Sequence, residues 1–140
     1  MFDQRPTALR GVLLLRLTLG ALFVAHLYWK FALLEGGFAK WWGNFANAGY
    51  PWFVPWYAVS AELAGAVLVT AGLFTRWACL YALPFMLAAA HFWLERKGFF
   101  FTGAGAELPL LWAVLLIVQA LLGSGPLSLD RRRRMRHLNA

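Results

Sequence analysis

Cysteine is almost missing from this chain: Cys79 is the single one in 140 residues. No internal disulfide and no C-x-x-C redox pair can form. Any electron chemistry therefore falls to a bound cofactor, a quinone or groups supplied by a partner. Charge is scarce too, with 14% of residues charged and only six acidic. There are three histidines, and none stands in a paired spacing such as H-E-x-x-H. A haem or metal centre is accordingly left out. Internal repeats and coiled-coil heptads are lacking, and no polar stretch is long enough to build a soluble domain.

What fills the chain instead is apolar, with 61% hydrophobic residues and a mean hydropathy of +0.60. That lies outside the soluble globular range. Four apolar runs stand out, about Gly11–Leu34, Val54–Phe74, Trp77–Leu94 and Leu108–Leu122. At about 1.5 Å per helical residue they match, or nearly match, a hydrocarbon core of roughly 30 Å. The last run spans only if Glu107 and the Gly123 region lie at the interfaces. A signal peptide is the rival reading of the N-terminus. The first run is too long for one, contains Arg16 and lacks a small-residue cleavage pattern before Glu35. The expected fold is all-α: a single domain over residues 1–140 forming an integral membrane four-helix bundle.

The net charge of +7 comes largely from Arg131–Arg134 and Arg136, in a basic tail over residues 130–140. A nucleic-acid patch is the alternative, but five arginines directly after an apolar run read as a positive-inside signal. Arg5, Arg10 and Arg76 fall on the same side, so both termini are expected in the cytoplasm. Residues 38–53, FAKWWGNFANAGYPWF, are aromatic but broken by Gly43, Gly49 and Pro51. They read as a short interfacial segment between the first two spans. Trp41, Trp42, Trp52 and Trp56 form either an aromatic belt or a lid over the bundle. Thr75 and Arg76 are expected to join spans two and three, and Pro84 to kink span three. Residues 95–106 are expected to form an irregular outer loop.

Ionisable groups inside the apolar runs carry the functional signal. Each costs roughly 2.5 to 3.5 kcal/mol at a bilayer centre unless it is satisfied. His26 and Glu62 both fall about 12 Å below the outer boundary. Lys30 is one turn shallower, His91 is near the outer end of span three, and Glu107 opens span four. Three stripes are expected to face the bundle: Arg16, Gly20, Phe23, His26 and Lys30; Glu62, Gly65, Val69, Gly72 and Arg76; and Pro84, Ala88, His91 and Glu95. They bring His26, Lys30, Glu62, His91 and Glu107 together in the outer half. Each has a bland alternative. Lys30 and Arg16 can snorkel, His91 can cap the interface, and Glu107 can serve its own helix N-terminus. Glu62, a short carboxylate, must pair or stay protonated.

At these residues the chain resembles the DoxX family. The resemblance runs from about Leu13 to Arg131, through L-L-L-R-L-T-L-G-A-L-F, the H-x-x-x-K of His26 and Lys30, and A-E-L-A-G-A-V-L-V-T-A-G-L-F-T-R. It continues through the histidine ending span three, G-A-E-L, and G-x-G-P-L-S-L-D-R. It implies a multi-pass four-helix protein of the bacterial inner membrane, linked to quinone-dependent oxidoreductases and to sulfur or thiol redox partners. On that footing His26, Glu62 and His91 are the expected catalytic positions, His26 and Glu62 handling protons and His91 holding the headgroup with Lys30. Lys30, Glu107 and Arg16 are the expected substrate-binding positions, with Arg16 and Arg76 also fixing packing. A quinone is the expected ligand, with no covalent cofactor, no metal and no nucleic acid. A non-enzymatic scaffold and a solute or proton pathway are the rival functions.

Overall fold

The computed structural model describes residues 5–138; the first four residues of the polar lead and the last two of the basic tail lie outside the described residues. Helices and short turns make up the described residues, with no strand among them. Helix α1 (Arg5–Tyr28) runs into a π-helical turn at Trp29–Leu33. Helix α2 covers Gly37–Asn47, in the aromatic connection. Helix α3 (Phe53–Ala64) continues as a second π-helical turn, Gly65–Val69. Helix α4 spans Thr75–Lys97, a 3-10 turn covers Phe101–Gly103, and α5 spans Glu107–Leu122. A last helix, α6 (Leu129–Leu138), was not foreseen in the basic tail.

Two continuous helices are long and apolar enough to cross a membrane, Arg5–Leu33 with 29 residues and Thr75–Lys97 with 23. The apolar helices Phe53–Val69 and Glu107–Leu122 are shorter. All four contribute to one core. It holds Leu19 and Phe23 of α1, Ala61 and Val69 of the α3 segment, Ala78, Cys79, Ala82 and Met86 of α4, and Trp112, Ala113, Leu116 and Ala120 of α5. Small residues set the spacing. A Cβ on Gly20 would overlap Thr70, and one on Gly65 would overlap the Phe23 ring, so these glycines let α1 lie directly on the π-helical end of α3.

Two expectations are corrected. The turn between α3 and α4 lies at residues 72–74, and Thr75 and Arg76 are already the first residues of α4. Gly72 at φ +68° and Phe74 at φ +49° adopt left-handed backbone that helices do not continue through. Helix α4 carries Pro84 in its interior. Near the proline, the Tyr57 hydroxyl of α3 donates to the Tyr81 carbonyl at 2.6 Å, a neighbour's hydrogen bond where the ring disturbs the ladder. Second, the row Pro84, Ala88, His91 and Glu95 is exposed, while α4 buries Thr75, Ala78, Cys79, Ala82, Met86 and Ala90. The alanine-rich row wins because small side chains bring α5 close, whereas a row carrying Pro, His and Glu cannot pack so tightly.

Candidate functional site

Lys30 and Glu62 form an ion pair with relative exposures of 3% and 1%, Lys30 Nζ donating to Glu62 Oε2. Both stand beside irregular helix. Lys30 lies within the π-helical turn Trp29–Leu33, and Glu62 lies three residues before the turn Gly65–Val69. A π-helical turn adds a residue per turn and so shifts which face each side chain meets. Along α1 the buried positions are Arg16, Leu19, Gly20 and Phe23, and then Lys30 in the turn that follows. His26, expected on the same face, is exposed.

An aromatic roof closes over the pair. Lys30 Nζ sits 4.3 Å from the Trp41 ring centroid and 5.8 Å from that of Phe85. The cation therefore meets α2 and α4 as well as α3, and ring faces take up charge where water is absent. Trp41 is held by its neighbours. Phe31 stacks on Phe38 at 4.6 Å, Phe38 lies 5.5 Å from Trp41, and Trp41 meets Phe45 edge-on at 4.8 Å. Trp42 touches Trp56 at 4.8 Å, and Tyr50 reaches Phe92 of α4 at 6.2 Å. Of the two readings of the tryptophans, the lid is the one that fits Trp41.

Of the remaining expected residues, His26 stays within electrostatic reach of Lys30, whereas His91 and Glu107 are turned elsewhere. His26 lies edge-on against Trp112 of α5, ring centroids 4.8 Å apart, and Trp112 in turn lies 5.0 Å from Phe23. The Trp112 Nε1 donor is buried without a partner. His91 is exposed on α4. Glu107 begins α5 and turns back to its own loop, where Oε2 accepts from the Phe101 amide at 2.9 Å. Ala106 and Glu107 amides close the same loop onto the Gly98 and Phe99 carbonyls at 3.0 and 2.8 Å. The loop's unpaired backbone captured the carboxylate before Lys30 could. Phe85 and Trp112 were not legible as site residues, because an aromatic in a membrane helix normally signals only packing or an interface.

Arg16 stands at the opposite end of the bundle, fully buried, so it does not share a site with Lys30. Its guanidinium donates to the Ser124 carbonyl and to those of Pro126 and Leu127 at 3.2 and 3.1 Å. Gly72 makes room for it, since a Cβ there would press on Arg16 and Ser128. Gln119 Nε2 donates to the Gly123 carbonyl at 2.7 Å, so two buried side chains hold residues 123–127 against the helix ends. The role left to Arg16 is packing, and the substrate-binding expectation for it loses its geometric basis. Among the described residues no group of three or more metal-ligating side chains is assembled.

A small all-helical membrane protein with one buried Lys–Glu pair beneath an aromatic roof is the class these features define. The chain belongs to the DoxX family, whose sequence pattern it matches over residues 11–96. It is 34% identical over 122 residues to a Haemophilus influenzae protein named "Uncharacterized protein", covering 84% of this chain and 87% of the other. It is 36% identical over 121 residues to the Bacillus subtilis protein named "Putative oxidoreductase CatD", covering 86% and 84%. No solved structure matches the chain.

Proposed function

We propose that this DoxX protein is a membrane-embedded component of a quinone- or quinol-linked oxidoreductase system. It crosses the bacterial inner membrane four times, with both termini in the cytoplasm and the Lys30–Glu62 pair toward the periplasmic side. The observation that carries this reading is the buried ion pair beneath Trp41: charge in a membrane interior is costly and marks a functional position by default. The family match and the relative named as an oxidoreductase give the direction.

The donor set suits a quinone headgroup. Lys30 Nζ carries three N–H groups, of which Glu62 takes one, and the rest lie under aromatic faces. Lys30 would hold a ring oxygen, Trp41 would stack on the ring after moving aside, and Glu62 would accept or return a proton. His26, beside Trp112 and within electrostatic reach of Lys30, would pass that proton outward. A bound quinone supplies the electron-carrying chemistry that a lone buried cysteine does not. His91 and Glu107 keep no direct part in this reading.

Binding of a quinone analogue to purified protein in detergent tests it. Wild type is expected to bind saturably, and Lys30→Met or Glu62→Gln to lose at least tenfold in affinity. Absent binding by the wild type, or unaltered binding by both variants, overturns it.

A scaffold for a redox or sulfur-metabolism partner is the second reading. It draws on α2, which buries none of its own residues, and on the groove of ≈ 250 Å³ that its aromatics line with Pro51, Pro55 and Trp56. Deleting residues 38–53 would abolish recovery of the partner, while Glu62→Gln would affect stability alone.

A further inference from the structure

A second groove shares no lining residue with the Lys30–Glu62 pair. It lies between α3 and α4, has a volume of ≈ 600 Å³, and is lined by Ala64, Leu68, Phe74, Trp77, Leu80 and Tyr81 among others. Its lining is almost wholly apolar, and Phe74 and Trp77 at its mouth are 52% and 72% exposed. From Ala64 to the turn at Phe74 it runs about 10 to 15 Å, the depth of one leaflet's hydrocarbon.

The basic helix is fastened at that mouth. The Asp130 amide donates to the Gly72 carbonyl at 3.1 Å, and Asp130 Oδ1 accepts from the Phe74 amide at 3.1 Å. These bonds tie the start of α6 to the turn that opens the groove. Ser128 Oγ, buried, accepts from the Arg131 amide at 3.2 Å and donates to the Gly125 carbonyl at 2.9 Å. Arg133 consequently stands over the Phe74 ring, its guanidinium carbon 5.7 Å from the centroid. An apolar slot one leaflet deep thus ends under a cation, with Arg131, Arg132, Arg134 and Arg136 on the same short helix.

We propose that this is a binding site for an anionic phospholipid. One acyl chain lies in the α3–α4 groove against Leu68, Trp77 and Tyr81. The phosphate meets Arg133 and its neighbours, guanidinium groups being suited to phosphate oxygens. The positive-inside reading gives these arginines a role in topology alone; the groove and the Asp130 anchor give them a ligand. The proposal requires membrane residence but not the quinone reading, since it uses no residue of the Lys30–Glu62 site.

The test uses full-length protein reconstituted in vesicles doped with brominated phosphatidylglycerol or brominated phosphatidylcholine. The readout is quenching of the Trp77 contribution, obtained by difference from Trp77→Phe, a conservative change at an exposed position. Phosphatidylglycerol is expected to quench at a lower mole fraction, by roughly fivefold for each arginine engaged. Arg133→Gln is expected to reduce that preference. Asp130→Ala separates a built site from bulk charge. It removes the side-chain acceptor and makes the chain more positive, so general attraction would strengthen the preference, whereas loosening α6 from the turn would weaken it. Equal quenching by the two lipids overturns the proposal. So does a preference that survives Arg132→Gln, Arg133→Gln and Arg134→Gln together, or one that grows in Asp130→Ala. Displacement of the lipid by millimolar inorganic phosphate or by an oligonucleotide would also overturn it, assigning the arginines to a soluble anion. Failure of quinone binding leaves every one of these outcomes unchanged.

Discussion

Lys30, on the π-helical turn that ends α1, and Glu62, on α3, satisfy each other's charge in a place where neither reaches solvent. Removing one partner strands the other, at a cost of about 3–5 kcal/mol. Glu62→Ala and Lys30→Ala are therefore each expected to be strongly destabilising. The double variant Lys30→Met with Glu62→Met should recover most of the loss. Unfolding in detergent micelles, run as a double-mutant cycle, checks this, and simple additivity would count against a coupled pair.

Trp41 is the roof that keeps Lys30 protected. Trp41→Ala removes a cation–π contact of roughly 0.5–2 kcal/mol and opens the outer side of the pair. Lys30 should then react with a water-soluble amine-acylating reagent that in wild type modifies only the exposed Lys40 and Lys97. Peptide mass spectrometry reads the change, and a Lys30 already modified in wild type would contradict the lid.

Arg16 closes the other end of the bundle by holding the carbonyls of Ser124, Pro126 and Leu127. Arg16→Lys keeps the charge but not the fork of donors, so it is expected to destabilise by about 2–4 kcal/mol. Trypsin should cut between Arg131 and Arg136 faster than in wild type. Unchanged cleavage would mean that residues 123–128 are held by other contacts.

Gly65 is needed for space. A Cβ there meets the Phe23 ring, so Gly65→Ala should cost roughly 1–3 kcal/mol by overpacking. Phe23→Leu introduced into the Gly65→Ala background should restore part of it. Thermal unfolding of the three variants decides the point, and an undisturbed Gly65→Ala would show that the helices can separate freely.

His91 serves as the control. It is exposed on α4, and its substitution by Gln is expected to change stability by no more than about 0.5 kcal/mol. The quinone-analogue assay should likewise respond to Glu62→Gln and not to His91→Gln.

Some of this was written in the chain itself. Apolar runs of near-membrane length fixed where helices form, because backbone groups without water must pair within the segment. Glu62 stood out as the carboxylate that had to pair or stay protonated, and Lys30 belongs to the cluster expected around it. Of the stripe Glu62, Gly65, Val69, Gly72 and Arg76, the first four are buried as the spacing indicated, while Arg76, at the start of α4, is exposed. What only the tertiary structure decided is which polar rows turn inward. Helix α4 is apolar nearly all round, and lipid tails are as oily as a core, so its sequence holds little contrast between a packed face and a bare one. Alanine size, not polarity, chose the face, and His91 went outward. The π-helical turn at Trp29–Leu33 buries Lys30 while His26 stays exposed, and no periodicity in VAHLYWKF announces it. Glu107 and Arg16 were claimed by unpaired backbone close to them in space, Arg16 by carbonyls more than a hundred residues along the chain.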